Sequence, residues 1–214
     1  MIHVYAIAEG LAGLPKIGGL ADAPLERLSF DGLDVVVSEA PAGGWEASEE
    51  DVLRHAHVVE ELMSRSTSVL PGRLGPAFSD EAALRRAVES HALRLKGALV
   101  RARGCVELGL RVLEEGGDVP EDALGGAQYM ERLLAEKQER DRSADRIHEP
   151  LAALARASKR SASQGQGVLL DAAYLVPVEN VERFRDHVAR LEDGSGLSFI
   201  LTGPWPPYSF GGDQ

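Results

Sequence analysis

The chain has 214 residues, enough for one large domain or two of roughly 100 residues each. Its 23 Lys and Arg face 34 Asp and Glu, a net charge of −11, which disfavours nucleic acid because phosphate binding draws on clustered cations and the longest basic cluster is Lys159-Arg160. The single cysteine, Cys105, excludes an internal disulfide and a cysteine-based zinc site. No stretch approaches the roughly 20 apolar residues that cross a bilayer, and Met1 to Tyr5 lacks the basic start of a signal peptide, so the expectation is a cytoplasmic protein without a membrane partner.

Ile2 to Ala8 is apolar and closed by Gly10, Gly13 and Pro15, which predicts a strand. After a loop rich in Gly, Ala and Pro, the β-branched run Val35-Val36-Val37 predicts a second strand, buried on both faces if central. Ser48 stands three residues before Asp51, the spacing of a capping box. A helix to about Ser64 follows, with Val52, Ala56, Val59 and Met63 on one face. The prolines and glycines of Ser68 to Pro76 permit only a short, bent strand.

Ser79, Asp80 and Glu81 open a longer helix whose stripe is Leu84, Val88, His91, Leu95 and Leu99 and whose end falls before Gly104. The period then changes to two: Val106, Leu108, Leu110 and Val112 alternate with Glu107, Gly109 and Arg111, a half-buried strand. Helices on one face of a mainly antiparallel sheet, closed by this strand, make a modified ferredoxin-like α+β sandwich over residues 1–115. Gly and Pro cluster in residues 116–126, the expected linker.

Residues 127–214 read as a smaller helix-rich α+β domain packed on the first. A charged helix begins at Ala127, with Tyr129, Leu133 and Ile147 as sparse apolar anchors and Glu136 and Arg140 as an i, i+4 pair. Pro150 kinks or ends it, and a shorter helix continues to about Lys159. Ser161 to Gly167 has the composition of a flexible loop. A strand over Val168 to Val176, a helix carrying Val181, Phe184, Val188 and Leu191, and a strand over Leu197 to Thr202 complete the chain.

Chemistry is sparse. Among six histidines, His55 and His57 are two apart on a helix and point away from each other, so no metal pair forms. Cys105 lacks a local base and reads as a small core residue. The pairs Gly18-Gly19, Gly43-Gly44 and Gly116-Gly117 match no phosphate loop and read as turns. No catalytic, metal or cofactor site is expected. The most unusual segment carries Pro204, Trp205, Pro206, Pro207, Tyr208 and Phe210. Prolines that fix an extended backbone under rigid aromatics suit an internal clamp, with Trp205 and Tyr208 sharing a face over the core. They also suit a polyproline ligand or a partner-facing patch.

Gly203-Pro204-Trp205-Pro206-Pro207-Tyr208-Ser209-Phe210 resembles the C-terminal signature of the gas vesicle F/L family. Val4-Tyr5-Ala6-Ile7 and Asp34 to Ser38 resemble its opening strands, and Leu70-Pro71-Gly72-Arg73-Leu74-Gly75 its turn, with Leu74 in place of the usual Phe. Gly126 to Met130 and Ala173 to Pro177 are similar to a helix start and the penultimate strand. The Trp and Lys expected between Glu107 and Arg111 are absent. The resemblance implies two domains, the first ferredoxin-like, and a non-enzymatic accessory or minor structural protein associated with gas vesicles. Its implied partners are the hydrophobic gas vesicle shell protein, which it would keep from aggregating during nucleation, and other accessory proteins. The alternative is a ferredoxin-like sensor or enzyme that holds a small molecule between sheet and helices.

Overall fold

The computed structural model describes residues 1–40, 47–114, 126–162 and 167–211. The fold is mixed α+β, as the alternating periods predict. The chain divides into two compact units, Met1–Val106 with Trp205–Gln214, and Glu107–Pro204. Most of the expected linker, the glycine pairs at 43–44 and 116–117, and residues 163–166 of the expected loop lie outside the described residues.

The first unit is built on β1 (Ile2–Glu9), β2 (Glu26–Phe30), β3 (Leu33–Glu39), β4 (Ser68–Pro71) and β5 (Ala77–Phe78). The order β2-β3-β1-β4, with β5 also on β1, is the strand order of a ferredoxin-like sheet. All these pairings are antiparallel. In place of a helix between β1 and β2 there is a loop with a single 3-10 turn, Leu20–Asp22. The alternation of β2 is weak and the sequence reading missed it. The available signal was Asp31-Gly32, whose positive φ values of 50° and 78° form the two-residue turn that joins paired Phe30 and Leu33.

Helices cover both faces of this sheet, not one. α1 (Glu49–Arg65) lies on one face with Val58, Val59 and Leu62 against Tyr5, Ala8 and Val36. α2 (Glu81–Ser90) and α3 (Ala92–Ala102) pack on the other, where Leu84, Val88 and Leu99 meet Val35, Val37 and Leu70. The valine run of β3 is therefore buried on both sides. The capping box forms: Asp51 N–H donates to Ser48 Oγ (3.2 Å) and Ser48 N–H to Asp51 Oδ2 (2.9 Å). The buried face of α1 is His55, Val58, Val59 and Leu62, rotated from the expected one, and Val52 is exposed. A polar residue in the core hid this face from a purely apolar count.

The expected long helix breaks at His91, which has φ −116° and ψ 9°. The Ser90 hydroxyl donates to the Ala87 carbonyl at 2.9 Å and the His91 ring sits at 2.9 Å from the same oxygen. Side chains that bond a backbone carbonyl compete with the helical ladder.

The second sheet has the order β7-β8-β6-β9, from β6 (Cys105–Glu114), α4 (Gly126–Ala152), β7 (Ala157–Arg160), β8 (Val168–Pro177), α5 (Val181–Glu192) and β9 (Leu197–Trp205). The strand at 106–112 thus pairs in this sheet and does not close the first one, so the expected boundary after 115 comes too late. Its alternation reports one buried face but says nothing of which sheet it joins. α4 runs two residues past Pro150, and the expected short helix to Lys159 is replaced by β7, an edge strand antiparallel to β8. Ser158, Lys159 and Arg160 carry no apolar alternation by which a strand is recognised. The C-terminal half of α4 buries Ala144, Ile147 and Leu151, while Phe184 of α5 meets the Tyr174 ring edge-on at 5.0 Å.

Candidate partner-binding surface

Pro206 and Pro207 are buried, and the chain then turns through one 3-10 turn, Tyr208–Phe210, in which Tyr208 N–H donates to the Pro206 carbonyl (2.7 Å) and Phe210 N–H to that of Pro207 (3.1 Å). Phe210 is buried and the turn packs against β4. Trp205 is 49% exposed and Tyr208 40%. The clamp expected of Trp205 and Tyr208 is made instead by Pro206, Pro207 and Phe210, because the backbone leaves the extended form at Pro207 (ψ 62°) and the three-residue repeat is not sustained. Pro204 is exposed. The geometry is a rigid buried base that carries two outward aromatics, each able to bury a large area on a partner at low entropic cost.

A second apolar surface lies on α4. Tyr129, Met130, Leu133 and Leu134 are between 41% and 55% exposed. Positions i, i+1, i+4 and i+5 share one side of a helix. Tyr129 and Leu133, read from the sequence as sparse apolar anchors, belong to this stripe.

Titratable groups cluster inside the first unit, closed to solvent. His55 Nε2 lies 3.1 Å from the Gly72 carbonyl, which can only accept, so Nε2 carries the proton. His55 Nδ1 then accepts from His3 Nε2–H at 2.9 Å. Burial, and next the nearby His55, lower the His3 pKa to about 4. Burial lowers that of His55, against the Gly72 hydrogen bond. Tyr5 stacks beside His55, and its hydroxyl accepts from Leu20 N–H (2.6 Å) and pairs with Ser38 Oγ (2.9 Å). Burial raises the Tyr5 pKa. Hydrogen bonds among these groups tie β1 to β3 and to α1. In the second unit His148 Nδ1 and the Tyr174 hydroxyl pair at 2.8 Å. Cys105 is buried, and among the described residues no three His, Cys, Asp or Glu side chains converge as a metal site. No helix among them is long and apolar enough to cross a membrane.

The same architecture occurs in solved structures. The crystal structure of the gas vesicle protein GvpF from Anabaena sp. PCC7120 superposes with a TM-score of 0.82 at 18% identity, over 100% of this chain and 96% of that one. GvpF from Microcystis aeruginosa gives 0.80 at 18%, over 99% and 98%. The fold is thus that of a gas vesicle protein. In sequence, the chain is 30% identical to gas vesicle protein L of Streptomyces sp. (strain CB03234), over 98% of this chain and 92% of that protein. It is 26% identical to gas vesicle protein F1 of Halobacterium salinarum over the same shares. Residues 1–211 match the model of the gas vesicle synthesis protein GvpL/GvpF family, and the chain belongs to that family.

Proposed function

We propose that this chain is a non-enzymatic gas vesicle assembly or minor structural protein that binds the hydrophobic shell protein in the cytoplasm and keeps it from aggregating during nucleation. The observation that carries the reading is the outward display of Trp205 and Tyr208 on a base fixed by Pro206, Pro207 and Phe210. Aromatics held in this way are the side chains that dominate binding energy at protein interfaces. The net charge of −11 supports it too, since a strongly charged protein keeps a sticky partner in solution.

The test is co-purification with shell protein after co-expression. Trp205→Ala with Tyr208→Ala should still fold, because the buried anchors Pro206, Pro207 and Phe210 are untouched. Shell protein retained at moderate salt should fall by about 30-fold, the equivalent of one interface hot spot of about 2 kcal/mol. Unchanged retention in a folded double variant would remove this surface from the contact.

A further inference from the structure

Open sheet edges invite pairing with further strands, and proteins blunt them with shortness or charge. In the first sheet β2 has five residues that include Glu26 and Arg27, β4 has four and β5 two. In the second, β7 has four and includes Lys159 and Arg160. β9, at the other end of the order β7-β8-β6-β9, is different: nine residues, Leu197–Trp205, without one charged side chain. Among the described residues no strand lies beyond it.

Two hydrogen bonds fix which groups of β9 point outward. Leu197 N–H donates to Ser195 Oγ (3.1 Å) and Phe199 N–H to Glu192 Oε1 (3.2 Å), so both amides turn away from β6. Outward and inward backbone groups alternate along a strand, so the N–H and C=O of Leu201 face outward as well. Glu192, the last residue of α5, and Ser195, in the turn after it, cover only the first part of the edge. A carboxylate that accepts from an edge amide stands where the carbonyl of a neighbouring strand would, and can be exchanged for one.

The side chains decide the partner. Ser198, Ile200 and Thr202 are exposed on one face of β9, and Leu197, Phe199 and Leu201 are half-buried on the other. With a second β9 laid antiparallel about a two-fold axis at Ile200, Phe199 meets Leu201, Ser198 meets Thr202 and Ile200 meets itself. Each opposite pair then shares a face and is of a kind that stabilises sheets, apolar with apolar and hydroxyl with hydroxyl. Phe199 and Leu201, whose amides point outward, become the hydrogen-bonded pairs. Two copies that each carry −11 repel one another, and this strand itself brings no charge to the contact.

We propose that β9 pairs with the β9 of a second copy of this chain, joining two four-stranded sheets into one of eight across a two-fold axis, with Glu192 displaced from the Phe199 amide. The paired residues end before Trp205, so this pairing and the shell-protein reading do not need each other.

Sedimentation velocity of the full chain should show a monomer–dimer equilibrium that moves towards dimer with rising concentration and stops there, because a two-fold contact closes on itself. Glu192→Ala frees the Phe199 amide and should tighten the dimer about tenfold, since two such bonds are given up per dimer. Ile200→Lys sets two ammonium groups against each other and should leave only monomer, and Ile200 is 45% exposed, so the variant still folds. Oxidation tests the register. Ile200→Cys puts two thiols on Cα atoms about 4.5 Å apart, within disulfide reach, and should cross-link, whereas Ser198→Cys leaves them about 14 Å apart and should not. Cys105 is buried and gives no background. Trp205→Ala with Tyr208→Ala should dimerise as the parent does, which keeps this test apart from that of shell-protein binding. Parent and Glu192→Ala proteins that both stay monomeric, a dimer that survives Ile200→Lys, or cross-linking at Ser198→Cys equal to that at Ile200→Cys would overturn the pairing.

Discussion

Gly19→Ala is expected to destabilise the protein by about 2 kcal/mol, although Gly19 has an ordinary extended backbone (φ −80°) that any residue adopts. The reason is proximity. A Cβ built at Gly19 would stand 2.4 Å from the Tyr5 hydroxyl and 3.0 Å from Ser38 Oγ. The hydroxyl cannot retreat without losing Leu20 N–H at 2.6 Å, and Tyr5 is completely buried. Tyr5→Phe should cost about 2 kcal/mol by leaving the buried Leu20 N–H unmet. The two changes act on one oxygen atom, so their effects should not add. In the Tyr5→Phe background the new methyl is relieved of its closest clash, the Tyr5 oxygen, and the double variant should be about 1 kcal/mol less destabilised than the sum. Urea unfolding of the four proteins measures this. Additive losses would show that glycine is not required there to make room for Tyr5.

That glycine also shows how far the sequence could be read. Gly18-Gly19 reads as a turn because glycine punctuates loops, and nothing in the sequence reveals that a tyrosine 14 positions upstream comes to rest against it. Local signals fared better. Ser48 with Asp51 capped α1, the Val35 to Val37 run filled a central strand, and Val181, Phe184 and Val188 marked the buried face of α5. These depend on neighbours within one element. The failures depended on distant ones: which sheet β6 joins, which side of β1 each helix covers, and why α1 turns His55 inward. A polar residue in a core position carries no hydrophobic signal, and its partner, His3, lies 52 residues away. The Trp205 segment was singled out for its composition, but its direction followed from the break at Pro207, where the proline repeat ends in a tight turn.

Stability is expected to fall steeply between pH 6.5 and pH 5, before carboxylates titrate appreciably. His3 and His55 both have an ordinary pKa of 6.5 and both are lowered in the folded protein, His3 to about 4, by burial first. The network gives the geometric reason: a second proton on His55 would put two N–H groups face to face across the 2.9 Å separation from His3 Nε2. Asp51 and Arg54 act on neighbouring Tyr5, and their charges oppose each other there. Above pH 6.5 both states are neutral at these positions and the contribution to stability is full. As pH falls towards 4 the unfolded chain takes up protons that the folded one refuses, so stability is lost, and below about 4 the loss from His3 levels off. His3 alone then accounts for on the order of 3 kcal/mol across that window. His148 in the second unit adds to the same trend, its pKa lowered by burial and then by Arg160. His55→Gln separates these sources. The amide still donates to the Gly72 carbonyl but takes up no proton, so the dependence of the unfolding free energy on pH between 6.5 and 5 should flatten by about 1 kcal/mol per pH unit, the share of one histidine. An identical slope in parent and variant would mean that the folded protein admits the proton at His55, and the closed hydrogen-bond chain from Gly72 through His55 to His3 would not describe the molecule in solution.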